Sequence, residues 1–340
     1  DVGDPPSSAE SLYPRLVASG REVYVVWQDR RVPAEYHVTF NRSLDGGASW
    51  LAAATRLDVT TGAGEGELAL GAALYLVYGG FDGNIHFRSS TDQGTSWSID
   101  APLAAGARPR IAADGDDVYV VYESTRSGAA DVYFTRSLDG GVTWLPSDVR
   151  LDTGDTAGAA LSFFPELAIS GGHLYVAWLD QRNDPFNLDL YLNASSDGGN
   201  TWLPSAVRLD SGRAPGTGSS HLPQLAAQGS SVYAAWSDVR GDGGTYFNRS
   251  SDGGATWLAS DLRIDHPPVG HTYVGHPALA IAGSGASTDV YIAWSDDRDG
   301  LPPLGEGALY FAHSTDGGAK WRRPPNVPTE SGPPHRSRRG

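Results

Sequence analysis

The side chains best suited to chemistry come as carboxylate–guanidinium pairs. The pattern W-x-D-x-R sets Asp29 with Arg31, Asp180 with Arg182, Asp238 with Arg240 and Asp296 with Arg298, and Glu123 with Arg126 is a looser copy. Two readings are open. The set can form a polar or metal-binding ring, or each acid can pair with a nearby arginine and tether loops. His266, His271 and His276 share one loop, with His221 further upstream. Their spacing fits no zinc motif, so no metal and no other cofactor is expected. The chain has no cysteine, which excludes a thiol nucleophile, a disulfide framework and a Cys-ligated zinc site. Three N-x-S sequons, at Asn41, Asn193 and Asn248, are candidate glycosylation sites.

The elements that must position these groups repeat. Six segments match S-x-D-x-G-x-x-W, running Ser43–Trp50, Ser90–Trp97, Ser137–Trp144, Ser195–Trp202, Ser250–Trp257 and Ser314–Trp321. Their period suits a four-stranded propeller blade. In each, the carboxylate (Asp45, Asp92, Asp139, Asp197, Asp252, Asp316) can accept backbone N–H bonds within its own turn. The glycine takes the strained backbone position. The indole (Trp50, Trp97, Trp144, Trp202, Trp257, Trp321) packs the turn onto the sheet. Such residues are scaffold, and the four other Trp end strands, so no Trp is left as a unique sugar platform.

Around each turn the blade is legible. A first strand opens at Pro14, Pro109, Pro165, Pro223 and Pro277, each followed six residues later by a turn glycine. The second repeat, over Glu67 to Gly71, lacks the proline. A second strand of the type V-Y-V-A-W is apolar on both faces, as expected of a strand packed between neighbouring blades. A third strand runs into the Asp turn, and a fourth usually ends in R-L-D or R-I-D, a strand the sixth repeat lacks. The sequence predicts an all-β, six-bladed β-propeller with four-stranded antiparallel blades over residues 12–321, between an N-terminal arm (1–11) and a Pro/Arg-rich tail (322–340).

These residues resemble the Asp-box, or BNR-repeat, propellers of the sialidase superfamily, in the style of the secreted bacterial and archaeal members. The resemblance covers nearly the whole body. It implies a ligand face built from the loops entering first strands and leaving second strands, with the Asp boxes on the opposite face. It places the Asp/Arg pairs in a pseudo-symmetric ring on that ligand face. In sialidases three Arg hold the substrate carboxylate, a Tyr activated by a Glu is the nucleophile, and an Asp is the acid/base. The matching set here is Arg15, Arg110, Glu166, Tyr273 and Asp29. The family's first Arg lies two residues before the first-strand Pro, where this chain has Leu12.

Net charge is −15, and residues 322–340 carry five Arg against one acid, so the body is more acidic still. This argues against a nucleic-acid partner. No stretch approaches the roughly 20 apolar residues of a membrane span. The chain lacks Met altogether, consistent with a processed, exported protein. An acidic head and a basic tail suggest contact between subunits. The expectation is therefore a secreted, non-catalytic structural or binding module, associating through its arms into a homo-oligomer or polymer. A sialidase-like exo-glycosidase and a glycan-binding propeller are the alternatives.

Overall fold

Apolar strands separated by glycine turns fold, repeat by repeat, into antiparallel sheets. The computed structural model describes residues 10–30, 35–59, 62–241, 243–265, 275–283, 288–296 and 308–322. Blade 1 holds β1 (Ser11–Ser19), β2 (Glu22–Asp29), β3 (His37–Ser43) and β4 (Thr55–Arg56). Blade 2 holds β5 (Ala63–Leu70), β6 (Leu74–Gly80), β7 (Asn84–Ser90) and β8 (Ala101–Ala105). Blade 3 holds β9 (Ala107–Asp114), β10 (Asp117–Ser124), β11 (Asp131–Ser137) and β12 (Val149–Arg150). Blade 4 holds β13 (Ser162–Ser170), β14 (His173–Asp180), β15 (Asp189–Ser195) and β16 (Val207–Arg208). Blade 5 holds β17 (Ser220–Gln228), β18 (Ser231–Asp238), β19 (Gly244–Ser250) and β20 (Leu262–Arg263). Blade 6 holds β21 (Ala278–Ala282), β22 (Asp289–Asp296) and β23 (Ala308–Ser314). Each sheet keeps chain order, so five blades are four-stranded and the sixth shows three strands among the described residues. The fold is a six-bladed β-propeller.

Second strands lie between neighbouring blades, which is why both their faces are apolar. Trp178, Tyr175 and Val176 on β14 are wholly buried, as are Trp236 and Ala234 on β18. Apolar clusters seal blade 1 to 2, 2 to 3, 3 to 4, 4 to 5 and 5 to 6. Burial of this kind is worth roughly 1.5–3 kcal/mol for each large side chain.

The Asp turns have the geometry their residue types suggest. In blade 1, Ser43 Oγ donates to Asp45 Oδ1 at 2.7 Å. The Ser49 amide donates to the same carboxylate at 2.8 Å, and Trp50 Nε1 donates to the Gly47 carbonyl at 3.1 Å. The bonds from the Ser49 hydroxyl, the Ser49 amide and the Ser43 hydroxyl, in that order, pull the Asp45 carboxyl down to about 2. Asp92, Asp139 and Asp197 are lowered to the same value by the equivalent bonds. The Trp reaches further than its own turn. Trp97 meets Phe40 of the preceding blade, Trp144 meets Phe87, Trp202 meets Phe134 and Trp321 meets Phe247, all edge to face at 4.9–5.4 Å. Each is an inter-blade staple.

The sequon asparagines are inside the blades. Asn41, Asn193 and Asn248 are buried, and their side-chain amides donate to the carbonyls of Leu51, Leu151 and Leu209. The folded chain therefore offers none of them for glycosylation. The N-x-S pattern arises where a buried asparagine two residues before the box serine bonds a backbone carbonyl.

A candidate active site at the axial mouth

First strands of successive blades abut around the propeller axis. One register position is common to all six. Arg15 faces Val26, Glu67 faces Val77, Arg110 faces Val121, Glu166 faces Ala177, Gln224 faces Ala235 and Ala278 faces Ala293. This position follows the first-strand proline, and in blade 2 Gly66 stands in the proline's place. The residue before the proline has a left-handed backbone in four blades, with φ of 50° at Tyr13, 47° at Arg108, 52° at Phe164 and 53° at Leu222. A residue before proline is normally extended, and such a conformation costs on the order of 1–3 kcal/mol. A break in strand register accompanies each of the four. The four bulges ring the mouth and re-aim side chains there.

A chain of alternating charge results. Arg15 Nε donates to Glu67 Oε1 at 2.5 Å, and its Nη2 lies 3.6 Å from Glu65 Oε2. Arg110 Nη1 lies 3.4 Å from the same Glu67 oxygen, and Arg110 Nε lies 3.3 Å from Glu166 Oε1. Burial raises the Glu166 carboxyl above its ordinary range, with Arg110 opposing the shift and Glu67 adding to it. Burial works against the Arg110 charge, but Glu166 and Glu67 outweigh it and hold the guanidinium protonated. Glu166 is still reachable, with a quarter of its side chain exposed (25%).

Glu123, at the end of β10, supports the rim. It accepts the Phe164 amide at 2.6 Å and pairs with Arg108 at 2.7 Å. Burial raises its carboxyl too. Arg108 lies over the Phe164 ring at 4.7 Å. The strained Phe164 is therefore pinned by a buried acid below and a cation across one face.

Of the residues expected to act, Arg15, Arg110 and Glu166 come together here. Asp29 does not, because it is buried and accepts Trp27 Nε1 at 3.0 Å. Tyr273, Arg31, Arg298, His266 and His271 lie outside the described residues, as does the side chain of Asp296. Two of the Asp/Arg pairs are closed on themselves. Arg182 Nη2 donates to Asp180 at 2.6 Å and lies over Tyr191, and Arg240 donates to Asp238 at 2.8 Å and lies over Tyr246. Glu67 escaped sequence reasoning. Its signal was the register it shares with Arg15, Arg110 and Glu166, hidden because blade 2 lacks the proline.

No family model matches the chain, and no curated protein matches it. Solved structures do. An α-L-arabinofuranosidase of Fusarium graminearum, in complex with arabinobiose, is 15% identical, covering 92% of this chain and 96% of its own, with a TM-score of 0.57. An α-L-arabinanase of Penicillium chrysogenum, also with arabinobiose, is 16% identical, with the same coverage and a TM-score of 0.55. A polysaccharide lyase, an ulvan lyase with bound sugar, is 12% identical, covering 92% of this chain and 82% of its own, with a TM-score of 0.64. At these identities the likeness shows the fold, a propeller of four-stranded blades. The expectation of a non-catalytic module assembling through its arms is corrected by these neighbours, which are carbohydrate-active enzymes with sugars bound. Residues 1–9 and 323–340, where that association was placed, lie outside the described residues. No described helix is long and apolar enough to cross a membrane.

Proposed function

We propose that this propeller is a carbohydrate-active enzyme, a glycoside hydrolase working at the axial mouth with Glu166 and Glu67 as its two carboxyl groups. The observation that carries the reading is their bridging by one guanidinium, that of Arg110. Glycoside hydrolysis commonly uses such a pair of carboxyl groups. Glu166, with its carboxyl raised by burial, is suited to protonate the leaving oxygen. Glu67, between Arg15 and Arg110, is the anion that attacks the anomeric carbon or activates water.

The charge balance points to an uncharged sugar. Arg15, Arg108 and Arg110 are each matched by Glu65, Glu67, Glu123 or Glu166. A sialic acid or uronate carboxylate meets no spare guanidinium among them, which weighs against sialidase-like and lyase chemistry. The Asp-box turns support kinship with BNR-repeat propellers as scaffold. Polymeric glycans are met outside the cell, which agrees with the secreted location read from the sequence.

Reducing-sugar release from neutral glycans, with arabinan among them, tests the reading. Glu166→Gln and Glu67→Gln should each lower kcat by about 10²–10⁴-fold with the fold intact by circular dichroism. Full activity in both variants, or no product from any glycan, overturns it.

A further inference from the structure

A groove of ≈380 Å³ lies between the loop entering β13, the strand that carries Glu166, and the loop leaving β14. Ala159, Ala160, Leu161 and Pro185 supply its apolar lining, and Gln181 and Asp184 supply polar groups. One segment of chain joins the groove to the mouth. Leu161, 41% exposed, leads directly into Phe163 and Phe164, whose rings meet edge to face at 5.2 Å. The Gln181 amide donates to the Leu161 carbonyl at 2.9 Å and ties the two loops together.

Phe186, 87% exposed, follows the lining residue Pro185 in the chain. It is held in place, because its amide donates to Asp184 Oδ1 at 2.8 Å and the next amide donates to the same oxygen at 3.0 Å. The groove thus sets apolar surface, from Leu161 and Pro185, beside hydrogen-bonding groups, with the exposed ring of Phe186 next in the chain. That chemistry matches a sugar chain, whose rings present C–H faces and whose edges carry hydroxyls. The Gln181 side chain makes no hydrogen bond to another described residue and can serve as both donor and acceptor.

Charge selects within that class. Arg182, the cation lining the groove, is bound to Asp180, and Asp155 is bound to Arg150. Asp184, half-buried, has no cationic partner among the described residues, on a body already strongly acidic. A polyanion is repelled here, and an uncharged chain is not.

We infer that this groove is a subsite for the body of an uncharged polysaccharide, so that the enzyme acts on polymers and not on short ends alone. The inference rests on the carbohydrate-active reading of the mouth, and binding separates the two. Native gels cast with linear arabinan, galactan, xylan or β-glucan, and with ulvan as the acidic control, read binding without turnover. At least one neutral polymer should retard the protein and ulvan should not. Phe186→Ala should weaken that retention about tenfold, Phe186→Tyr should keep it, and Glu166→Gln should leave it unchanged. In kinetics, Phe186→Ala should raise KM for the polymer and leave a disaccharide substrate unaffected. Retention by no neutral polymer, equal retention of Phe186→Ala and wild type, or stronger retention by ulvan overturns the subsite. Retention that depends on Phe186 without product release overturns the hydrolase and leaves the subsite standing.

Discussion

At the scale of single residues, Arg110 carries the most consequence. It is the shared partner of Glu67 and Glu166. Removing one member of a buried charge network leaves the others unpaired, at a cost of about 3–5 kcal/mol. Arg110→Ala should therefore lower the urea midpoint markedly, where Arg15→Ala, at a more exposed side chain, should cost little. Comparable losses in both denaturation curves would show that the bridge is not the stabilising contact. A second buried set sits between β11 and the blade 3–4 connection. Asp131 and Asp152 are fully buried, and Arg150 Nε lies 2.9 Å from Asp152 and 3.4 Å from Asp131. Burial, then the Asp131 charge, raises the Asp152 carboxyl to about 7. The sign follows from linkage. The folded chain holds this proton where the unfolded chain, near an ordinary value of about 4, has released it. Stability from this group is full below about pH 4 and is lost as pH rises through about 7. Thermal melts between pH 4 and 8 should show that decline, and Asp152→Asn should flatten it. An unchanged slope in the variant would assign the decline elsewhere. Arg15, Arg110 and Glu166 were reached through the sialidase resemblance, not through composition or spacing. Asp29 lies apart from them, since its carboxylate accepts the Trp27 indole N–H.

Strands and turns were the most legible level. The strand alternation and the six Asp turns follow directly from residue type and spacing. The left-handed bulges at Tyr13, Arg108, Phe164 and Leu222 did not, since proline biases its predecessor the other way and only tertiary bonds such as Phe164 N–H to Glu123 hold it there. The staple partners were invisible too, because Phe134 and Trp202 lie far apart in sequence. They make a prediction at this scale. Trp202 packs edge to face on Phe134 at 4.9 Å, whereas Trp50 is 41% exposed. Trp202→Ala should cost about 3 kcal/mol in urea denaturation and Trp50→Ala less than about 1. Equal costs would mean that the Trp acts within its own turn and not between blades.

The same asymmetry governs the whole molecule. Six repeats made a ring legible, but not how evenly it is sealed, since equivalent residues carry equivalent types whether or not a neighbour covers them. Tyr175 in blade 4 is wholly buried, while its counterpart Tyr291 in blade 6 is only partly so. Among the described residues, apolar clusters span five seams, and none joins blade 6 to blade 1. Leu16 on β1 is 60% exposed and Leu309 on β23 is 55% exposed. β1 and β21 each show no fully buried residue, whereas β10 and β14 are buried from their second residue onward. Local opening follows local burial, so the ring should loosen first at this seam. Native-state hydrogen exchange should find amides of β1 and β21 exchanging through openings well below the global unfolding free energy, with β10 and β14 at the global limit. Glu166 and Arg110 sit on blades 4 and 3, away from the seam, so bound oligosaccharide should slow exchange in β9 and β13 more than in β21. Uniform protection around the ring would show that blades 6 and 1 close as firmly as the rest.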